Sequence, residues 1–223
     1  MESKNEVGVT FLHLRFIGKI LAGFTHEIKN HLAIVKESAG LRGDMIQLGK
    51  STQDDSGQYL EIVQSIEEQI EKSTTHFTYL NRLSHRMDTP LSTFSVNDSI
   101  EELAALLQRF ANQKKIMIEK DLQKDLAPVH SNPSMLQFLV FTFLEEMLTE
   151  LDKNSRISIK TEGANNAVAI RITPEGNFVE GASGTGPMLF EIGDAVIKQL
   201  GGTLSRETGK GVVILLPLRT AYA

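Results

Sequence analysis

Between Thr10 and Met87 the chain has no proline, and apolar residues recur there at helical spacing. Ile17, Leu21, Phe24, Ile28, Val35, Ala39 and Ile46 follow alternating steps of three and four, with a gap near His31. Tyr59, Val63, Ile66, Ile70, Phe77 and Leu80 do much the same. Such seams predict two long helices packed in the manner of a coiled coil. The polar, glycine-bounded stretch Gly49–Gly57 (GKSTQDDSG) is the expected loop between them. A two-helix hairpin has too little interior to bury both stripes. Either a second copy completes a dimeric four-helix bundle, or the seam packs on the C-terminal half of the same chain. Seams this long favour the homodimer.

Composition removes several classes of function. The net charge of −5 argues against nucleic acid as a partner, because a nucleic-acid binder normally shows a basic face. With no cysteine there is no disulfide, thiolate metal site or cysteine nucleophile, which fits a reducing compartment. Arg15 and Lys19 interrupt the apolar N-terminal run, so no membrane span is expected and the chain reads as cytoplasmic. MLQFLVFTFL is too short to cross a bilayer and reads as a core helix.

From Asp88 the rhythm changes, which divides the chain into residues 1–88 and 89–223. DTPLSTFSVND reads as a linker that ends at a helix cap, Asn97 or Asp98, ahead of SIEELAALLQRFANQ. A short strand at Ile116–Glu119 and a proline-bearing loop, LAPVHSNP, lead into the helix MLQFLVFTFLEEMLTEL. ISIKTEG and AVAIRIT read as a hairpin. A glycine-rich segment, the helix MLFEIGDAVIKQLGG, and a second hairpin turning through Thr208-Gly209-Lys210-Gly211 close the chain. This order predicts an α+β fold: a helical hairpin followed by an α/β sandwich with one helical layer on one sheet.

FTHEIKN at 24–30 resembles the phosphoacceptor box of sensor histidine kinases. GTGPMLFEIGDAVIKQLGGTLSRETGKGVVILLPL is similar to that family's second glycine box, GG turn and closing hairpin. The resemblance covers nearly the whole chain and implies a dimerisation and phosphotransfer hairpin followed by a Bergerat-type ATPase domain. It also marks departures. Thr142 or Glu146 stands where the family places its magnesium-binding asparagine. Pro174, in ITPEGNF with Gly176, stands where it places the adenine-binding aspartate, and proline offers neither a carboxylate nor an N–H. The lid segment, Asn177 to Ser183, is short. Gly184 and Gly186 are kept, but Pro187 and Met188 follow them. These departures imply a vestigial nucleotide pocket that does not take ATP.

The resemblance makes His26 the phosphoacceptor. A neutral imidazole has one lone-pair nitrogen, and a carboxylate on its other nitrogen fixes the tautomer. Glu27 is expected in that role, as base or orienter. Heptad position turns His26 away from the seam with Asn30 one turn along on the same side, where it would orient a water for dephosphorylating a partner. Standing alone, HExxN is most often a solvated helix face; ahead of an ATPase-like fold, function is favoured. His31, where the family often has proline, has a structural reading. The remaining histidines lack acidic partners at ligand spacing, so no metal site is expected. The expected activity is histidine phosphotransfer between response-regulator receiver domains, whose own magnesium would serve, with no cofactor bound by this chain. A stand-alone relay protein needs no input segment, and none precedes the first helix in this sequence. The alternatives are an active histidine kinase, a non-catalytic scaffold and a receiver phosphatase.

Overall fold

The computed structural model describes residues 2–47, 56–179 and 186–219. Two helices, α1 (Glu2–Gln47) and α2 (Ser56–Asp88), form the hairpin. Helix α1 begins well before Thr10. The expected loop at Gly49–Gly57 falls mostly outside the described residues, and Ser56 and Gly57 already belong to α2.

The seam that closes the hairpin is offset from the stripe marked by hydrophobicity. The α2 residues turned inward include Ile62, Gln69, Ser73, His76 and Leu83, at heptad spacing but partly polar. Opposite them His31 is buried, its Nδ1 3.1 Å from Ser73 Oγ, while Ser73 donates to the Gln69 carbonyl at 2.8 Å. The gap in the α1 stripe near His31 is therefore a polar step in the buried seam. Ile70 and Phe77 of α2, and Leu14, Leu21 and Leu32 of α1, stay exposed.

Past α2 the expected linker holds a short strand, β1 (Ser92–Phe94), paired antiparallel with β3 (Val129–Ser131) in the segment expected to be a loop. Ser95, not Asn97 or Asp98, caps α3 (Val96–Lys114), accepting from the Asp98 N–H at 3.2 Å. Asn97 instead accepts from the buried Thr161 hydroxyl at 2.7 Å and donates to the Gln123 carbonyl at 2.8 Å.

The main sheet runs in the order β2-β4-β5-β7-β6. Its strands are β2 (Met117–Leu122), β4 (Arg156–Ala164), β5 (Ala167–Glu175), β6 (Thr203–Arg206) and β7 (Val212–Pro217). The β2–β4 pair is parallel and the others antiparallel. Alternate residues such as Ile157, Ile159, Ile170, Ile172 and Ile214 are buried beneath α3, α4 (Pro133–Glu150) and α5 (Gly186–Gln199), in one core. The chain is α+β, a helical hairpin followed by a mixed sheet with its helical layer.

Helix α4 is apolar almost all round, so one sheet face cannot cover it. Its second cover is α1. The Phe16 ring lies 4.8 Å from that of Phe141 and 6.1 Å from that of Phe138, and Phe16 and Ile20 are fully buried. Lys19 and Arg15 both reach Glu145, at 2.7 and 3.1 Å. One turn on, Gly23 lets α1 approach α3, since a Cβ there would lie 2.8 Å from the Phe110 ring. The face of α1 beside the first seam, through Phe16 and Ile20, thus packs on the C-terminal half.

The C-terminal turns of α2 are tied down by a buried charge. Glu102 of α3 is 1% exposed and takes Arg86 and Arg82 of α2 as partners, with Gln137 of α4 beside it at 3.4 Å. Burial pushes the Glu102 carboxyl up, and the two arginines pull it back. Glu102→Ala strands Arg86 against the protein interior and should lower stability by about 3–5 kcal/mol, read as a fall in the urea midpoint.

Candidate functional site

His26 sits on the exposed side of α1, in an open depression with Leu21, Ala22, Thr25 and Lys29. Asn30, one turn on, places its amide 3.2 Å from His26 Nδ1. That amide can present either face across this distance. With its N–H inward, Nδ1 accepts and Nε2 keeps the proton. With its oxygen inward, Nδ1–H donates and the Nε2 lone pair faces solvent.

Glu27 does not take the orienting position expected of it. Successive helical residues point about 100° apart, and Glu27 is turned toward α3. Its carboxylate lies 3.5 Å from Arg109 Nε and 4.0 Å from His31 Nε2. A cavity of about 450 Å³ opens there, lined also by Lys72, His76, Gln108 and Lys120. Burial lowers the His31 pKa, helped by His76 and Lys72 and opposed by Glu27. Arg109 was not legible as a site residue, because only the crossing of α1 and α3 at Gly23 brings it to Glu27.

In the C-terminal half, the residues expected at a nucleotide pocket have other engagements. The Thr142 hydroxyl donates to the Phe138 carbonyl of its own helix at 2.9 Å. Glu146 faces a 320 Å³ cavity between α4 and α1, with Phe11, Arg15, Glu145, Glu150 and Leu189. Burial raises its pKa and nearby Glu150 adds to this, against Arg206 and Lys210. Lys210 binds Glu150 at 2.7 Å and lies 4.2 Å from the Phe178 ring centre. Pro174 lies within β5 opposite Ile157, past the last β5–β7 pair at Ile172 and Val212, where its missing N–H breaks no bond to β7. Gly176 has φ +132°, and a side chain there would collide with Ser155. From Gly176 the chain runs beside the end of α4, with Val179 N–H donating to the Glu150 carbonyl at 2.8 Å. Of the expected lid, only Asn177–Val179 lies within the described residues. Gly184 lies outside them, and Gly186 opens α5. Among the described residues no three histidine or acidic side chains are grouped to hold a metal ion, and no helix is long and apolar enough to cross a membrane.

The chain aligns with Sporulation kinase E of Bacillus subtilis (strain 168) at 26% identity over 208 residues, which is 90% of this chain and 25% of that protein. With the sensor histidine kinase ZraS of Salmonella typhimurium it shares 22% identity over 217 residues, 90% of this chain and 45% of the relative. The catalytic domain of the histidine kinase ThkA superposes on it with a TM-score of 0.51 at 15% identity, covering 59% of this chain and 99% of that domain. The chain is thus similar in sequence to histidine kinases and in fold to a histidine kinase catalytic domain. It spans a quarter to under half of these two relatives' length. No family model matches it.

His13 marks the docked stretch of α1. Its ring packs 5.0 Å from that of Phe138, its Nε2 is buried without a hydrogen-bond partner, and burial lowers its pKa. A lowered imidazole pKa means that the unfolded chain binds the proton more readily. The docked form is therefore fully favoured above the ordinary value of 6.5 and loses stability as pH falls through the folded value. Thermal melts at pH 7.5 and 5.5 should show a fall in Tm that His13→Phe reduces (both pH values bracket about 6.5).

Proposed function

We propose that this chain is a dimeric histidine phosphotransferase: His26 takes a phosphoryl group from the aspartate of one receiver domain and gives it to another. The observation that carries this reading is the placement of His26. It is exposed, in an open depression of α1, with its Nδ1 beside the Asn30 amide.

In the transfer, the Nε2 lone pair attacks phosphorus and the P–O bond of the aspartyl phosphate breaks. The carboxylate leaves with the bonding electrons, and the proton stays on Nδ1, which Asn30 can hold once its amide turns its oxygen inward in place of the Nδ2 that faces the ring here. The return step reverses this. The receiver's magnesium and acidic pocket would stabilise the charge on the moving group, so His26 needs only to be exposed and oriented. Asn30 then serves as the group that sets the tautomer, and water orientation is a secondary role.

We read the residues around Glu146 as a vestigial pocket, unsuited to a nucleoside triphosphate. Glu145 and Glu150 are already taken by Arg15, Lys19 and Lys210, the Thr142 hydroxyl is committed to its own helix, and α1 lies across the opening. No step is therefore routed through ATP. The dimer reading draws on the open stripes of the hairpin. Ile17, Leu21, Phe77, Leu80 and Met87 line a 440 Å³ apolar groove, and Phe77 is 54% exposed. A second hairpin laid on these stripes would complete a four-helix bundle.

The second reading, an ATP-dependent kinase, is favoured by the names of the aligned relatives. Labelling separates the two. The expected outcome is acid-labile label on the chain from a phosphorylated receiver and none from magnesium ATP, with His26→Ala abolishing it. Label from ATP on His26 would establish the kinase instead. Sedimentation should give a dimer, and Phe77→Glu should shift it to monomer by placing a charge in the apolar groove.

A further inference from the structure

Three features converge at one turn of α1. The helix meets α3 at Gly23, where only a missing side chain permits the approach to Phe110. One turn on, Glu27 lies against Arg109, whose side chain is 16% exposed. Among the described residues this is the ion pair between α1 and the C-terminal half that lies furthest toward Gln47, the others being those of Arg15 and Lys19 with Glu145. His26, between Gly23 and Glu27, has the Asn30 amide at its ring.

The surroundings of Glu27 explain why it stays on this side. Among the described residues it is the one carboxylate lining the cavity, with Arg109, Lys72, Lys120, His31 and His76. Lys72 is shared with Glu68, at 2.7 Å, and the Arg109 guanidinium also lies 5.7 Å from the Phe110 ring centre. Cations on α2, α3 and β2 thus draw the carboxylate away from the face that carries His26. Glutamate is nevertheless long enough, and helical side chains lean far enough toward the N-terminus, to reach the flank of the preceding ring once released.

We infer that Arg109 is a positioning residue that withholds Glu27 from His26 while α3 is docked on α1. Docking leaves Nδ1 to the neutral amide of Asn30. When α3 moves off Gly23, Arg109 goes with it, and Glu27 competes with the Asn30 amide for Nδ1, accepting its N–H where Asn30 now places Nδ2. An anionic acceptor fixes that tautomer more firmly than an amide and strengthens Nε2 as a nucleophile. The contact therefore makes the reactivity of His26 depend on the position of the C-terminal half. The consequence for transfer rests on the phosphotransfer reading; the contact itself does not.

The test uses the full chain with labelled histidine at pH 8, comparing wild type, Arg109→Gln, Arg109→Lys and the double variant Glu27→Gln/Arg109→Gln (a pH above the imidazole range of about 6.5). Ring nitrogen shifts report the His26 tautomer, and phosphoramidate, a small donor that loses ammonia as the N–P bond to histidine forms, reports its reactivity. Arg109→Gln should move the ring toward the Nδ1-protonated form and raise labelling by roughly three- to tenfold. Arg109→Lys should behave as wild type, and the double variant should lose both changes. A tautomer unchanged in Arg109→Gln, or a change that persists without Glu27, overturns the inference. A ring that responds as expected while no form of the chain takes phosphate upholds the Arg109 contact and removes the phosphotransfer reading.

Discussion

The packing of α1 across α4 is the constraint on which the rest depends. A helix as apolar as Pro133–Glu150 must be covered on two sides, and the chain supplies the sheet for one and its own first helix for the other. Phe16 against Phe138 and Phe141 forms the centre of that contact, and Glu145 fixes its direction by gathering both Arg15 and Lys19. With α1 in this place, the cavity beside Glu146 is roofed, Gly23 meets α3, and Arg109 meets Glu27. Glu102 and its two arginines then hold the second helix of the hairpin to the same body.

Much of this was legible in the order of residues. The proline-free stretch gave two helices, and the strand and helix rhythms after Asp88 gave the mixed sheet with its helical layer. What escaped were features set by contacts distant in sequence. The strands β1 and β3 are three residues each, too short to leave a periodic signal. The buried seam of α2 passes through Gln69 and Ser73, so a reading by hydrophobicity marked the neighbouring stripe that stays open at Ile70 and Phe77. The all-round apolarity of α4 was the signal for a second cover, but it did not say that α1 would provide it.

The histidine site divides in the same way. Helical spacing alone places Asn30 beside His26, because residues four apart share a face. The same geometry turns Glu27 elsewhere, and family likeness outweighed that argument in the sequence reading. Its partner, Arg109, is 82 positions away in sequence, and no local pattern links them; the pair exists only because α3 crosses α1 at a glycine.

Helix α1 is continuous from Glu2 to Gln47, so Phe16 and His26 belong to one rod. Ten residues of α-helix separate them by about 15 Å. A rod of that length turns small angles into useful distances: a tilt of about 10° at Phe16 carries His26 sideways by roughly 2.5 Å, close to the length of a hydrogen bond. The aromatic contact thus acts as a fulcrum, and the angle at which α4 grips α1 sets where in space the imidazole is offered.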